Sequence, residues 1–128
     1  MRSASRFLLY AILGFLAEGV PGEESPARIK LLVQNSPLAG FSHHAAAEVW
    51  PELRVGDELQ LAREHDNPHD PNAIGVLWRG RKLGYVPRRA NAALAWGLDR
   101  GEPLQARISR IAQHPNPARR IEFEVYVE

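Results

Sequence analysis

The clearest structural signal in the sequence is the segment Arg63-Glu64-His65-Asp66-Asn67-Pro68-His69-Asp70-Pro71-Asn72-Ala73-Ile74-Gly75-Val76. Residues 57–62 before it alternate polar and apolar side chains with a period of two, and residues 73–78 after it are mostly apolar, which predicts a strand on each side of a polar loop. The two prolines fix their own φ, and the Asx side chains accept hydrogen bonds from nearby backbone N–H groups. The loop is therefore predicted to be rigid and to expose His65, His69 and Asp70, either as a well-made turn or as a binding surface.

The rest of the chain reads mostly as further short strands. Strands are predicted over residues 28–34, 82–86, 104–111 and 121–128, with a bulge before Ile111 where the alternation slips. Residues 40–44 are predicted to be a short extended piece. Helix is predicted over Ala90–Leu98, which Pro87 opens, and a brief helical turn over Ala45–Trp50. Because closure removes exposed strand edges, five or six strands with one inserted helix and a short second helical turn predict a mainly β fold, a small closed or half-closed barrel.

Length and composition limit the classes of protein that remain. The chain has 128 residues, a formal net charge of +1 and no cysteine. One domain is expected at this length, and neither a disulfide framework nor a thiolate zinc site is available. The near-neutral charge gives no long-range attraction to a polyanion, so any nucleic-acid contact must come from locally placed side chains.

The first 19 residues differ from those that follow. Arg2 and Arg6 precede an apolar run over residues 7–17, and small residues follow at a suitable cleavage point, which is the layout of a signal peptide. We therefore expect residues 1–19 to be a signal peptide, residues 20–27 a linker and residues 28–128 the folded domain. Export to the periplasm or the medium is the expected localisation. An uncleaved membrane anchor, or a cytoplasmic protein whose start is misassigned, are the alternatives.

Several short motifs occur in the order typical of one family. They are Gly40-Phe41-Ser42-His43-His44, Val55-Gly56-Asp57-Glu58-Leu59-Gln60-Leu61, Asn67-Pro68-His69-Asp70-Pro71-Asn72-Ala73-Ile74 and Leu83-Gly84-Tyr85-Val86-Pro87-Arg88. Together they resemble the HIRAN domain family over roughly residues 29 to 127. The resemblance implies an OB-like β-barrel that binds single-stranded DNA, in some members by its free 3′ end, without catalysis of its own. It also implies a place in DNA repair beside a separate helicase, nuclease or other protein.

The resemblance assigns roles to individual residues. His43 and His69 would stack on terminal bases, and Asp70 would accept a hydrogen bond from the terminal sugar or a base edge. Tyr85, Arg88 and Arg89 would hold the phosphate. Three further positions belong to the wider candidate site: Ser42, His65 and His114. Histidine stands at two positions where DNA-binding members usually carry tyrosine.

Each assignment has a structural alternative. Tyr85 is as consistent with packing in the barrel wall, Asp70 with capping its own loop, and the arginines near residue 80 with a solvated turn. Trp50, Trp78 and Trp96 are predicted core anchors. No cofactor is expected; a zinc ion held by the histidines and aspartates is an alternative without a recognisable ligand motif.

Two other functions remain open at this point. An exported barrel could use its pocket for another ligand or a protein partner. A hydrolase acting on acid anhydrides would follow only from motors fused to other members, and the sequence contains no Gly-x-x-x-x-Gly-Lys-Ser/Thr motif.

Overall fold

The computed structural model describes residues 29–128. The predicted signal peptide and the linker over residues 20–27 lie outside the described residues. Among the helices of residues 29–128, none is long and apolar enough to cross a membrane.

Six strands and two short α-helices make up this region. The strands are β1 Leu31–Pro37, β2 Glu58–Arg63, β3 Ile74–Trp78, β4 Arg81–Tyr85, β5 Gln105–Ile111 and β6 Ile121–Val127. The α-helices are α1 Ala46–Val49 and α2 Ala92–Asp99, and single 3₁₀ turns lie at Phe41–His43, Trp50–Glu52, Arg88–Ala90 and Pro117–Arg119. The mainly β prediction with one inserted helix and a short second helical turn is confirmed.

All named strand pairs are antiparallel, in the order β1-β6-β5-β2-β3-β4. The two end strands are joined just after β1, where Ala39 and Tyr85 exchange two backbone hydrogen bonds of 2.9 Å. Gly84 permits this approach, because a Cβ at that position would overlap the Ala39 carbonyl oxygen. The sheet therefore closes into the predicted barrel.

The barrel interior is filled by alternate side chains of the strands. Phe123, Ile108 and Val76 are almost completely buried. The β5–β6 register shifts between Ile108 and Arg110, which confirms the predicted bulge. The alternation in β6 fails at Tyr126, which is buried and lies beneath the cations of Lys30 and Arg107.

Several sequence predictions were wrong in detail. The first strand covers Leu31–Pro37 and not residues 28–34, because Asn35, Ser36 and Pro37 continue the pairing with β6. Residues 40–43 do not form the predicted extended piece, since Gly40 adopts a φ of 79° and a 3₁₀ turn follows over Phe41–His43. The main helix begins two residues later than predicted, at Ala92.

The three tryptophans do not share one role. Trp78 is a core residue and Trp50 packs against the core. Trp96 is 65% exposed on α2, with the Arg100 guanidinium over its ring, so the prediction of a core anchor was wrong there.

Candidate functional site

A cavity of about 400 Å³ lies beside the point of barrel closure. Its volume falls within the roughly 300–1,000 Å³ typical of small-ligand sites. The rings of His44, His69 and Tyr85 line it together with Asp70 and Arg88. The remaining lining residues are Ala39, Asn67, Ala73 and Val86. A mainly apolar surface is thus combined with three rings, one acid and one base.

Four residues predicted from the sequence meet in this cavity. His69 and Asp70 come from the loop between β2 and β3, Tyr85 ends β4, and Arg88 begins the following 3₁₀ turn. Two stretches of the chain, the loop after β2 and residues 85–88, therefore converge on one site. Val86 N–H donates to the Ile74 carbonyl at 3.1 Å, which holds the residues after β4 against the start of β3.

His43 is exposed and does not line the cavity, whereas His44 does. The 3₁₀ turn buries Phe41 edge-on against Trp50, with 5.6 Å between ring centroids. His44 leaves that turn in an extended conformation, at a φ of −137°. The histidine that lines the cavity together with His69 is therefore His44, the residue after the predicted His43.

The other predicted residues lie elsewhere on the surface. Ser42 is exposed, and His65 contacts Asp99 at 2.8 Å. His114 lines a separate cavity next to Trp50. Arg89 lines a cavity of about 390 Å³ that shares Ala39 with the first one. Of these four residues, Arg89 is the one joined to the ring-lined cavity by a shared lining residue.

Polar contacts fix the Tyr85 side chain. Its hydroxyl donates to Glu64 Oε1 at 2.9 Å and accepts from Lys82 Nζ at 2.9 Å, while Lys82 also donates to Glu64 Oε2. Its ring meets the His44 ring edge-on, with centroids 5.3 Å apart. The Tyr85 ring thus lines the cavity while its hydroxyl bonds within the protein, and its contact with a phosphate stays a prediction.

Asp70 joins the loop to the start of α2. Its Oδ1 accepts from the Asn72 N–H at 2.9 Å and its Oδ2 from Asn91 Nδ2 at 2.8 Å, so Asp70 does cap its own loop. Arg88 Nε lies 3.9 Å from Oδ2, and its guanidinium also donates to the His69 carbonyl. Because the Arg88 side chain is 71% exposed, it remains accessible to an anion.

The charges of the site are set by these contacts. Burial alone would raise the pKa of Glu64, but hydrogen bonds from Lys82, Asn67 and Tyr85 outweigh it and hold that pKa below its usual range. The same holds for the pKa of Asp70, where burial is outweighed by Asn72, Asn91 and the nearby arginines. Burial, aided by the Lys82 charge, lowers the pKa of His44. This shift favours the neutral form of the His44 ring.

Arg63 secures the base of the loop, a role that the sequence did not indicate. It donates to the carbonyl groups of Ala73 at 2.8 Å and Pro71 at 3.1 Å, and it pairs with Asp99 at the end of α2. Its side chain is only 10% exposed. An arginine directly before an acidic and Pro-rich loop could have predicted this role, since such a loop offers many carbonyl groups for the guanidinium.

Within residues 29–128, no three His, Asp or Glu side chains are placed so that they could hold a metal ion. His65 and Asp99 lie together with Arg63, whereas His69 and Asp70 lie in the cavity. The histidines and aspartates named for the zinc alternative thus lie in separate places in the described part of the chain.

Comparisons with known proteins agree with this architecture. The family model described as HIRAN domain matches residues 31–128. A crystal structure of a protein from Lactobacillus plantarum is similar at a TM-score of 0.66 and 25% identity, covering 77% of this chain and 94% of that one. The crystal structure of the HIRAN domain of human HLTF is similar at a TM-score of 0.59 and 19% identity, covering 76% of this chain and 77% of that one, which shows the fold.

One curated relative is similar over a shorter segment. A Fanconi-associated nuclease 1 homolog from Oryza sativa subsp. japonica is 43% identical over 53 residues, which is 38% of this chain and 6% of that protein. The match therefore concerns a small part of a much longer protein.

A closed six-stranded barrel with a ring-lined cavity at its closure defines a small binding module. The chain belongs to the HIRAN domain family, whose domains are known as DNA-binding modules.

Proposed function

We propose that this chain is a non-catalytic module that binds single-stranded DNA and takes the free 3′ end into the cavity. The observation that carries the proposal is that one cavity collects the rings of His44, His69 and Tyr85 with Asp70 and Arg88. Family membership supports DNA as the ligand. The remaining steps follow from the chemistry of these side chains.

The two histidine rings are suited to a base. Stacking on a ring tolerates any base sequence and contributes on the order of 1–3 kcal/mol per base. His44 is held edge-on to Tyr85, while His69 is exposed on the loop. We therefore assign the stacking role to His44 and His69, with His43 as an accessory residue at the exposed end of the 3₁₀ turn.

Arg88 and Asp70 are suited to the sugar and phosphate of the last nucleotide. Arg88 presents a largely exposed guanidinium, which matches a phosphate group. Asp70 has accepted two hydrogen bonds and retains lone pairs for a sugar hydroxyl. Since this carboxylate is ionised, it favours a terminal hydroxyl and repels a terminal phosphate.

Fluorescence anisotropy tests the proposal. It measures, at low salt, how tightly the full chain binds a short single-stranded DNA that carries its label at the 5′ end. Oligonucleotides with a 3′ hydroxyl should bind at least roughly tenfold more tightly than the same sequence with a 3′ phosphate, because repulsion between the phosphate and the Asp70 carboxylate replaces a hydrogen bond. Equal affinity for both ends would exclude end capture, and no binding at low salt would exclude DNA as the ligand.

Point variants test whether the cavity is the binding site. His44→Ala and His69→Ala should each weaken binding roughly tenfold, as expected for loss of one stacking contact. His65→Ala is the matched control, because His65 is exposed on the same loop but contacts Asp99 instead of the cavity. If His65→Ala weakens binding as much as His69→Ala, the cavity is not the site.

A further inference from the structure

Glu64 does not line the cavity, yet its carboxylate contacts residues on two sides of it. Oε1 accepts from the Tyr85 hydroxyl at 2.9 Å and from Asn67 Nδ2 at 3.1 Å. Oε2 accepts from Lys82. One carboxylate thus joins the loop after β2 to strand β4.

The loop branch leads to His69. Asn67 donates to Glu64 through Nδ2 and accepts from the His69 backbone N–H through Oδ1, at 2.8 Å. The amide of Asn67 is therefore oriented by Glu64 and in turn fixes the backbone that carries the His69 ring. A change at Glu64 is expected to reach His69 through a single intervening side chain.

The strand branch leads to His44. Tyr85 donates to Glu64, and Lys82 both bonds the Tyr85 hydroxyl and lies 4.7 Å from the centre of its ring. The Tyr85 ring then meets His44 edge-on. Glu64 is connected to each histidine through one residue.

The backbone leaves room for this carboxylate. Gly75 lies on β3 between Ala62 and Tyr85, and a Cβ at Gly75 would come within 3.3 Å of Glu64 Oε2. The Glu64 side chain is 24% exposed and pairs with Lys82. A methyl group at position 75 would therefore crowd the carboxylate and require it to shift by a few tenths of an ångström.

We propose that Glu64 is a positioning residue that fixes the spacing between the His44 and His69 rings and so determines how tightly the cavity holds a terminal base. The consequence for affinity depends on the proposed function, whereas the ring geometry does not. Lys82 completes the arrangement by neutralising the carboxylate.

Glu64→Gln tests the proposal in the full chain, because glutamine keeps the side-chain length while its amide nitrogen cannot accept hydrogen bonds. Affinity for single-stranded DNA should fall roughly tenfold, as expected when charge-assisted hydrogen bonds that orient the site are lost. Glu48→Gln is the matched control, since Glu48 does not line the cavity and pairs with Arg81 at a distance of 2.6 Å. The Glu48→Gln protein should bind DNA as tightly as wild type. Equal losses in both variants would overturn the proposal.

Coupling to the histidine distinguishes positioning from a general structural effect. Glu64→Gln should lower the affinity for single-stranded DNA much less in a His69→Ala protein than in wild type, because part of its effect passes through His69. Fully additive losses would overturn the proposal. Gly75→Ala keeps every polar group but crowds the Glu64 carboxylate, so it should lower the affinity for single-stranded DNA in the same direction and by less than Glu64→Gln, which covers the case of a Glu64 variant that folds poorly.

A readout without DNA separates this inference from the proposed function. In Glu64→Gln, the NMR signals of the His44 and His69 rings should shift while that of His65 stays in place. If wild-type protein binds no DNA but these signals shift, the proposed function fails and the positioning role stands. If neither signal moves, the positioning role fails.

Discussion

The Asn91 amide donates a 2.8 Å hydrogen bond to Asp70 Oδ2 and thereby ties the start of α2 to the loop that carries His69. Asn91 is only 2% exposed, so its amide is shielded from water. The loop is also held by Arg63 at its base and by Glu64 through Asn67. Rigidity of the loop therefore depends on three side chains that lie outside the Asn67–Asp70 segment.

Asn91→Ala should lower the free energy of unfolding by about 1–3 kcal/mol, because a buried hydrogen-bond partner of a carboxylate is removed. Urea unfolding followed by circular dichroism measures the difference. Asn116→Ala is the comparison, since the exposed Asn116 caps only a 3₁₀ turn and its loss should cost less. Equal effects would show that Asp70 does not depend on Asn91.

Gly84→Ala should destabilise the barrel by at least about 2 kcal/mol, because the new methyl group would overlap the Ala39 carbonyl at the point of closure. Gly97→Ala is the matched control within α2. A Cβ there would overlap Glu102 Oε1 at 2.7 Å and contact Leu104 Cδ1 at 3.4 Å. The overlapped atom is the end of a side chain that can move, so helix propensity should stabilise that variant by roughly 0.5–1 kcal/mol. Thermal unfolding of the two variants should shift in opposite directions. A Gly84→Ala protein as stable as wild type would contradict closure at Ala39.

Acid should weaken the contribution of Glu64 to stability. Its pKa in the folded protein lies below the ordinary value of 4.5, so the stabilisation is complete above 4.5 and is lost as pH falls through the folded pKa. Glu64→Gln should therefore be less stable than wild type at neutral pH, and the two unfolding curves should converge in acid. Urea unfolding across this pH range tests the sign. A difference that widens below pH 4.5 would contradict the assignment of Glu64 as an ionised acceptor.

The sequence predicted the barrel because its strands carry their evidence locally. The alternation in residues 121–125, the slip before Ile111 and the turn residues around the hairpin are all short-range patterns. His69, Asp70, Tyr85 and Arg88 reach one cavity because they flank strands that pair with each other or end near one another.

The features that the sequence missed depend on tertiary contacts. The choice of His44 over His43 follows from the left-handed Gly40 and the 3₁₀ turn after it, which side-chain patterns do not specify. Glu64 and Lys82 read as ordinary charged residues, since their pairing spans 18 positions and arises from strand packing. Burial of Trp96 could not be decided from helical spacing alone, and the residue proved exposed.

We propose above that DNA occupies the cavity lined by His44 and His69. The histidine side chains of the described region serve as probes of this claim, because His44 and His69 line the cavity while His65 and His114 lie outside it. NMR spectra of the imidazole groups, recorded as a short single-stranded oligonucleotide with a free 3′ hydroxyl is added, measure this directly. We expect the His44 and His69 signals to move together and to saturate with the binding curve while the His65 signal stays in place. Saturable shifts confined to His65 or His114 would contradict it.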